Sequence, residues 1–382
     1  MAPGFWLPAL TNILKAQGLS GWVALVFTVP PLCAVISPLI GGALADQRVA
    51  AERLLGWSSL LSAVSLLAAF GSLHAGWNPW WFVGLLGVSS LFSGPTWGLL
   101  ATIALTHLPD GERKFPLVRL GATLGWITAG LTTSYILRAD TSPITGYAAA
   151  VVRFAAGLYS FRLPLTPPLG RATSWQSRLG LDAFALMKHS DHCVFFIVTA
   201  VYSIPLSAFY MYAPELLKAL GDAHSTATMT LAQLTEIIAM LLVGSVMLKF
   251  RVKEVLLWSL GLSAVRFGMS AYAGASGLIG WHIGGIMLHG MCYTFYFITA
   301  QVFLDRRVER GMRGQAQGLL TLVSGGLGPL IGAAFCGWLH DHCVRPNGQG
   351  WMDFWTILAG IITLCFVIFA VFYRGRHDAV EA

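Results

Sequence analysis

In this 382-residue chain one carboxyl lies deep in an apolar run: Glu236, in the stretch LAQLTEIIAMLL. Gln233 precedes it by three residues, so a helix puts both on one face. A carboxyl among apolar neighbours can exchange a proton near neutral pH, and the amide beside it can bond a polar ligand. That chemistry is proton coupling or substrate binding; the competing reading is a structural carboxylate fixed by a hydrogen bond or an arginine. A second set is Arg119, Thr123 and Trp126 in FPLVRLGATLGWITAG, at i, i+4 and i+7. Arginine donates paired bonds, threonine donates and accepts, and tryptophan offers a stacking face, which together suit a planar polar ligand. The plainer alternative is an arginine that snorkels to an interface beside a belt tryptophan. A third set is His282, His289, Tyr293, Thr294, Phe297 and Gln301, with Tyr293 and Phe297 at i, i+4 and Thr294 and Gln301 at i, i+7. A mixed aromatic and hydroxyl face is compatible with a substrate cavity, although aromatics in such helices more often pack. His282 and His289 fit satisfied side chains as well as proton carriers. Arg153 and Arg266 are expected to pair with helix ends or carboxylates, without a functional role.

Composition fixes the elements that can carry these residues. Hydrophobic residues make up 56% and charged residues 11%, against about 25% charged in soluble domains. Too few charges remain to coat a surface facing water, so soluble enzymes, nucleic-acid binders and secreted disulfide scaffolds are excluded. The chain reads as a polytopic all-α membrane protein with lipid as its outer solvent. Its net charge of +7 needs no nucleic-acid partner, because basic residues collect on the cytoplasmic side of a membrane. The six cysteines form no CxxC pair and read as small core residues. Cys336, His340, His342 and Cys343 form the densest polar cluster, at a helix end. No metal and no cofactor are expected.

A span needs about 20 apolar residues. Such runs lie at 21–44, 53–73, 79–105, 117–137, 144–161, 191–216, 226–248, 254–273, 277–303, 315–339 and 351–373. Residues 3–14 are too few to cross, lack the basic start of a signal peptide, and read as the second half of a shortened first helix. Of the 24 Lys and Arg, 17 fall in one set of loops, 4 in the other, and Arg119, Arg153 and Arg266 in or at the edge of spans. This places both termini and the 162–190 linker in the cytoplasm. An even helix count follows, with six helices in 1–161 and six in 191–382. The glycines let helices approach closely; Gly284, Gly285, Gly325, Gly326 and Gly328 read as packing positions, and Pro30, Pro31 and Pro205 as kinks. Gly42, Asp46 and Arg48 form a G-x-x-x-D-x-R pattern after the 21–44 span. An Asp near a helix end with cationic partners can latch one gate conformation; the alternative is ordinary cytoplasmic charge.

The pattern at 42–48 resembles the conserved loop of major facilitator superfamily transporters. FPLVRLGATLGWITAG, RLGLDAFALMKHSDHCVFFI, QLTEIIAML and LHGMCYTFYFITAQVFLDRRVERGMRGQAQGLLTLVSGGLGPLIGAAFCG resemble the bacterial nucleoside:proton symporter family of that superfamily. The similarity keeps segment order over nearly the whole chain, and the runs at 179–186 and 313–318 are the most specific. It implies a twelve-helix carrier of the inner membrane, importing a nucleoside with protons by alternating access. The expected partners are a nucleoside-like solute, protons and the bilayer, and the expected working form is a monomer. By resemblance, the family's binding Arg and Thr fall on Arg119 and Thr123, an aromatic on Trp126 where other members carry Phe, the Gln and Glu on Gln233 and Glu236, and a second aromatic on Tyr293. The family's acid beside that aromatic is here Thr294, and its Gln and Asn in the 191–216 span correspond to Ser207 and Tyr210. Glu236 is thus the expected proton site and Gln233 its ligand-bonding neighbour. Arg119 and Thr123 would bond ribose or base, and Trp126 and Tyr293 would stack. The substitutions at 207, 210 and 294 leave open another small polar cargo, such as a sugar or nucleobase. The short start leaves open an inactive relative. An intramembrane enzyme would need a nucleophile, metal ligands or a second deep acid.

Overall fold

The apolar runs become helices, and among the described residues there is no strand. The computed structural model describes residues 1–108, 111–168, 181–307, 318–345 and 348–375. The chain divides into two compact units, Met1–Leu181 and Asp182–Ala382.

The N-terminal unit holds α1 (Ala2–Trp6), α2 (Leu10–Ala16), α3 (Val23–Gln47), α4 (Ala51–His74), α5 (Pro79–Ser93), α6 (Thr96–His107), α7 (Gly111–Leu131) and α8 (Ile144–Ser160). The expected half helix at 3–14 is two short helices, and Phe5, Trp6, Leu10, Ile13 and Leu14 are all buried. Helix α3 continues through Pro30, Pro31 and Pro38. Helix α5 starts on a cap: the Asn78 side chain accepts from the Trp80 N–H, and Pro79 takes the first position, where no donor is needed. Helix α4 packs along α5 and α8. Two devices set those contacts. Ser62 and Ser89 bond each other's carbonyls across α4 and α5, both at 2.9 Å. Gly146 of α8 meets the Phe70 ring, where a Cβ would collide.

The C-terminal unit holds α9 (Ser190–Ala219), α10 (Ser225–Met229), α11 (Leu231–Lys249), α12 (Val252–Ser276), α13 (Ile279–Tyr293), α14 (Thr299–Arg307), α15 (Gly328–Cys343) and α16 (Trp351–Phe372). Helix α9 runs 30 residues with Pro205 and Pro214 inside it. Helix α12 starts where the Glu254 carboxylate accepts from the Arg251 N–H at 2.9 Å. It ends at Gly277, whose φ of +71° is the left-handed cap that glycine adopts without strain. Between α13 and α14 the helix widens into a π turn, Thr294–Ile298, and a second, Leu322–Leu327, precedes α15. A third, Thr132–Ile136, follows α7. The glycines read as packing positions serve that role at Gly285, against the Arg266 carbonyl, and at Gly328, against Ser203.

Nine helices among the described residues are long and apolar enough to cross a membrane. The 117–137 and 144–161 runs form α7, charged at its start, and α8, of 17 residues. Leu241, Leu248, Val151 and Trp57 are exposed, an outer surface that suits lipid and not water. Trp77, Trp80 and Trp81 gather at the α4–α5 turn with Trp22 edge-on to Trp80, the composition of an interfacial aromatic belt.

Candidate functional site

The C-terminal unit brings most of its predicted site residues together, and a glycine makes this possible. Gly290 of α13 faces α11, where a Cβ would collide with the Ala232 carbonyl and the Glu236 backbone nitrogen. Without a side chain there, the two backbones meet directly. The Thr235 hydroxyl sits between the Ala232 and Met287 carbonyls and ties the same crossing. The turn carrying Gln233 and Glu236 is thereby pressed against the helix carrying His289, Tyr293 and Thr294. Gln233 is 4% exposed and its Oε1 has no partner among the described residues. Glu236 is half-buried. Tyr210, from α9, lies in electrostatic range of Glu236, Tyr293 and Arg266.

An aromatic stack lines this corner. The His289 ring lies on Phe209 with centroids 3.8 Å apart and planes 8° from parallel. Tyr293 stacks on His289 at 5.8 Å, and Tyr210 meets it edge-on at 6.2 Å. Phe297 continues the row, 4.8 Å from Tyr293. Thr294 opens the π turn and is wholly buried, and its Oγ1 has no partner among the described residues. Such turns recur at functional sites because they re-aim side chains within a helix. The two histidines of α13 part company here. His282 is satisfied on both nitrogens: Nε2 faces the Ala213 carbonyl at 3.1 Å and therefore donates, and Nδ1 faces the Ser270 hydroxyl at 2.9 Å. The His289 Nδ1 has no partner among the described residues.

Sequence reasoning passed over Arg266. The expected pairing with a helix end or carboxylate does not occur: among the described residues Arg266 has no ion pair. It is 3% exposed and its guanidinium lies over two rings, 4.3 Å from Phe267 and 5.2 Å from Phe209. Its Nε and Nη2 have no hydrogen-bond partner among the described residues. A desolvated cation–π contact is worth about 2 kcal/mol, which offsets only part of the cost of burying a charge. The readable signal was an arginine inside an apolar run, which at membrane depth points to function by default. Arg153 also departs from its expected pairing, since Nη1 donates to the Ser62 hydroxyl at 2.9 Å.

Other predicted positions lie elsewhere. Ser207 turns to α15, its Oγ 3.4 Å from the Pro329 carbonyl and pressed against Gly332. In the N-terminal unit, Arg119, Thr123 and Trp126 follow one face of α7, with Thr123 buried and the other two half-buried. The Trp126 indole rests on Gly4 of α1, leaving 3.2 Å to the place a Cβ would occupy, so part of this ring is committed to packing. Of the loop motif, Gly42 and Asp46 lie within α3, the Asp46 side chain outside what is described; Arg48 is exposed just past α3. The polar cluster at the end of α15 is dispersed. Cys336 Sγ points to the Ile204 carbonyl at 3.5 Å, and His342 to the Trp338 carbonyl at 2.8 Å. His340 stacks on Tyr212 at 4.3 Å with Glu215 and Asp341 each 3.3 Å from a ring nitrogen. Among the described residues no group of His, Cys, Asp and Glu could hold a metal ion.

A carboxyl, an open amide and a buried cation around a tyrosine suit a carrier that couples cargo to protons, and comparison with known proteins agrees. Residues 2–378 match the family model described as nucleoside H+ symporter. The chain belongs to that family. The putative nucleoside transporter YegT of Escherichia coli (strain K12) is 32% identical over 402 residues, covering 99% of this chain and 92% of the relative. The nucleoside permease NupG of the same organism is 25% identical over 399 residues, covering 99% and 94%. A crystal structure of a NupG mutant matches with a TM-score of 0.87 at 23% identity, covering 98% of this chain and 96% of that one. A D-xylose-proton symporter matches at 0.70 and 16% identity, covering 99% and 98%. These structural matches show the fold alone, the all-α bundle of the NupG and D-xylose-proton symporter structures.

Proposed function

We infer that this chain is a proton-coupled secondary transporter that imports nucleosides across the cytoplasmic membrane by alternating access, with both termini inside. Glu236 is the coupling acid. The observation that carries this assignment is the glycine crossing, in which Gly290 lets α13 seat against the Gln233–Glu236 turn of α11. Tyr210 of α9 lies in electrostatic range of the acid, and taking up or releasing a proton there changes the local charge. Gln233 offers a buried amide oxygen to a ligand N–H or hydroxyl. Tyr293, 37% exposed, supplies a stacking face, with Tyr210 and Thr294 beside it. Within the N-terminal unit, Arg119 and Thr123 on one face of α7 offer donors suited to ribose or base, and Trp126 offers a ring surface.

The test is uptake of labelled uridine and adenosine into proteoliposomes, with and without an inward proton gradient. Gradient-dependent accumulation of at least one is expected. If neither accumulates under a gradient, the nucleoside reading fails.

A further inference from the structure

Helices α9 and α15 run side by side in the same direction: Ser203 meets Gly328, Ser207 meets Gly332 and Tyr212 meets His340. The first two contacts of this seam are glycines against a serine and nearby backbone. Its far end is made of ionisable groups. The His340 ring lies flat on Tyr212, with centroids 4.3 Å apart and planes 7° from parallel. Its Nε2 is 3.3 Å from Glu215 Oε1 and its Nδ1 3.3 Å from Asp341 Oδ1. A neutral imidazole has one N–H and one lone pair, and a carboxylate only accepts. Both contacts are therefore hydrogen bonds only when the cluster holds one proton more than a neutral ring and two carboxylates carry between them. Glu215 is the firmer partner, with 12% of its side chain exposed against 76% for Asp341, because a pair open to water is worth little. From α16, Trp351 and Phe354 stand edge-on to the same ring. The remaining ionisable groups at this end turn elsewhere or sit at its margin. Cys336 points to the Ile204 carbonyl and His342 to the Trp338 carbonyl. Asp353 of α16 lies in electrostatic range of Cys343, and Lys218 is exposed one turn after Glu215. Arg345 follows α15, its N–H donating to the Gln349 carbonyl.

Helix α9 also contains Pro205 and Pro214. Each removes a backbone N–H and marks a point where a helix bends. The stretch between them carries Phe209 and Tyr210, whose rings lie against His289 in the candidate site. Tyr212 and Glu215 flank the second proline, so whatever holds them to α15 also holds that stretch. We propose that His340, Glu215 and Asp341 form a second proton-binding site, at the outer end of the C-terminal unit, whose proton clasps α9 to α15 and keeps Phe209 and Tyr210 seated on His289. An acid exterior then tightens the hold on cargo. Loss of the proton leaves a ring lone pair facing a carboxylate, and the outer part of α9 is released. The outer placement rests on the orientation inferred above, with both termini inside, and the effect on cargo rests on the nucleoside reading.

Two measurements on the full chain test this, with H340Q, E215Q and D341N beside the parent. The first is the unfolding midpoint in detergent from pH 5.5 to 8.5, which needs no cargo. A proton held by the folded chain stabilises it at acid pH, and that contribution is lost as the pH rises. The parent is expected to exceed H340Q by about 3 °C at pH 5.5 and by less than about 1 °C at pH 8.5. E215Q should match H340Q, and D341N should remove less than about half of the difference. The second is KM for uridine entry into right-side-out membrane vesicles, with the inner pH fixed and the outer pH taken over the same range, then with the two exchanged. As the outer pH rises, the parent KM should rise about fivefold more than that of H340Q or E215Q. A gap between parent and H340Q midpoints that is the same at every pH overturns the proposal and leaves His340 a packing residue. A KM that follows the outer pH equally in parent, H340Q and E215Q overturns the clasp. If H340Q fails to fold, E215Q decides, because glutamine keeps the shape and removes the acid; parallel parent and E215Q midpoint curves then overturn the proposal. A pH-dependent midpoint gap without uridine entry in the parent upholds the proton site and refutes the nucleoside reading. The same gap with a KM that follows the inner pH refutes the outer placement.

Discussion

Arg153 of the N-terminal unit and Arg266 of the C-terminal unit are treated differently. Arg153 of the N-terminal unit donates to Ser62, part of a reciprocal serine pair that ties α4 to α5. It works as a third strand in a seam of hydrogen bonds. Arg266 of the C-terminal unit is laid on two rings, and its Nε and Nη2 have no hydrogen-bond partner among the described residues. Both leave nitrogens without a partner among the described residues, Nε of Arg153 and Nε and Nη2 of Arg266, so the difference lies in the one bond that Arg153 makes to Ser62 and the two rings that Arg266 lies on. Both units also use a glycine at a tight crossing, again with different consequences. Gly146 meets a side chain, the Phe70 ring, and Gly290 meets the backbone of the turn that carries Glu236.

The substitutions that probe this contrast fall in an order. E236Q should have the largest effect: loss of gradient-driven uptake by about 100-fold, the scale of a positioned proton donor, with counterflow retained. Equal loss of both in vesicle assays would make Glu236 structural and erase the difference between the units. G290A comes next, because a Cβ there strikes main chain that cannot rotate away. Overpacking of about 2–3 kcal/mol should lower the unfolding midpoint in detergent by about 5 °C and depress uptake with it. G146A should cost about as much stability, because the Phe70 ring it strikes is fully buried between Trp6 and Phe82, but should leave the coupling of uptake to the gradient in place; lost coupling would erase the contrast between the two crossings. R153M removes one hydrogen bond and should cost about 1–2 kcal/mol of stability with the pH profile of uptake in place. A moved profile would show that Arg153 takes part in coupling after all. W126F should be mildest, about a twofold change in KM, because the indole is partly occupied by Gly4.

Much of this was legible in the residues, and the limits have physical causes. Span positions follow from apolar length, so the runs from 191 to 373 reappear as helices with small shifts at their ends. Glu236 stood out because a carboxyl in LAQLTEIIAMLL has no sequence neighbour to balance it. Arg266 was present in the same way, yet its meaning depends on Phe209, 57 positions away, and on Tyr210, contacts that no local spacing encodes. The roles of the two histidines of α13 also hinge on distant partners: Ala213 and Ser270 satisfy His282, and Phe209 only stacks on His289. Ser207 illustrates the reverse case. Its place at a ligand position comes from the resemblance alone, and its contacts with Gly332 and the Pro329 carbonyl of α15 lie more than 120 positions away in the chain.

The π turn at Thr294–Ile298 sets a rule for reading every substitution in this part of the chain. It inserts about one residue beyond the α-helical count, which turns everything after it by roughly 100° relative to what precedes it. Thr294 and Gln301, seven apart, would share a stripe on an unbroken helix, but here they belong to two helical wheels out of phase. A scan that marks sensitive positions in 279–293 therefore cannot be extended by periodicity into 299–307. Deleting one residue within the turn would bring the two wheels back into phase and re-aim the whole inner segment at once.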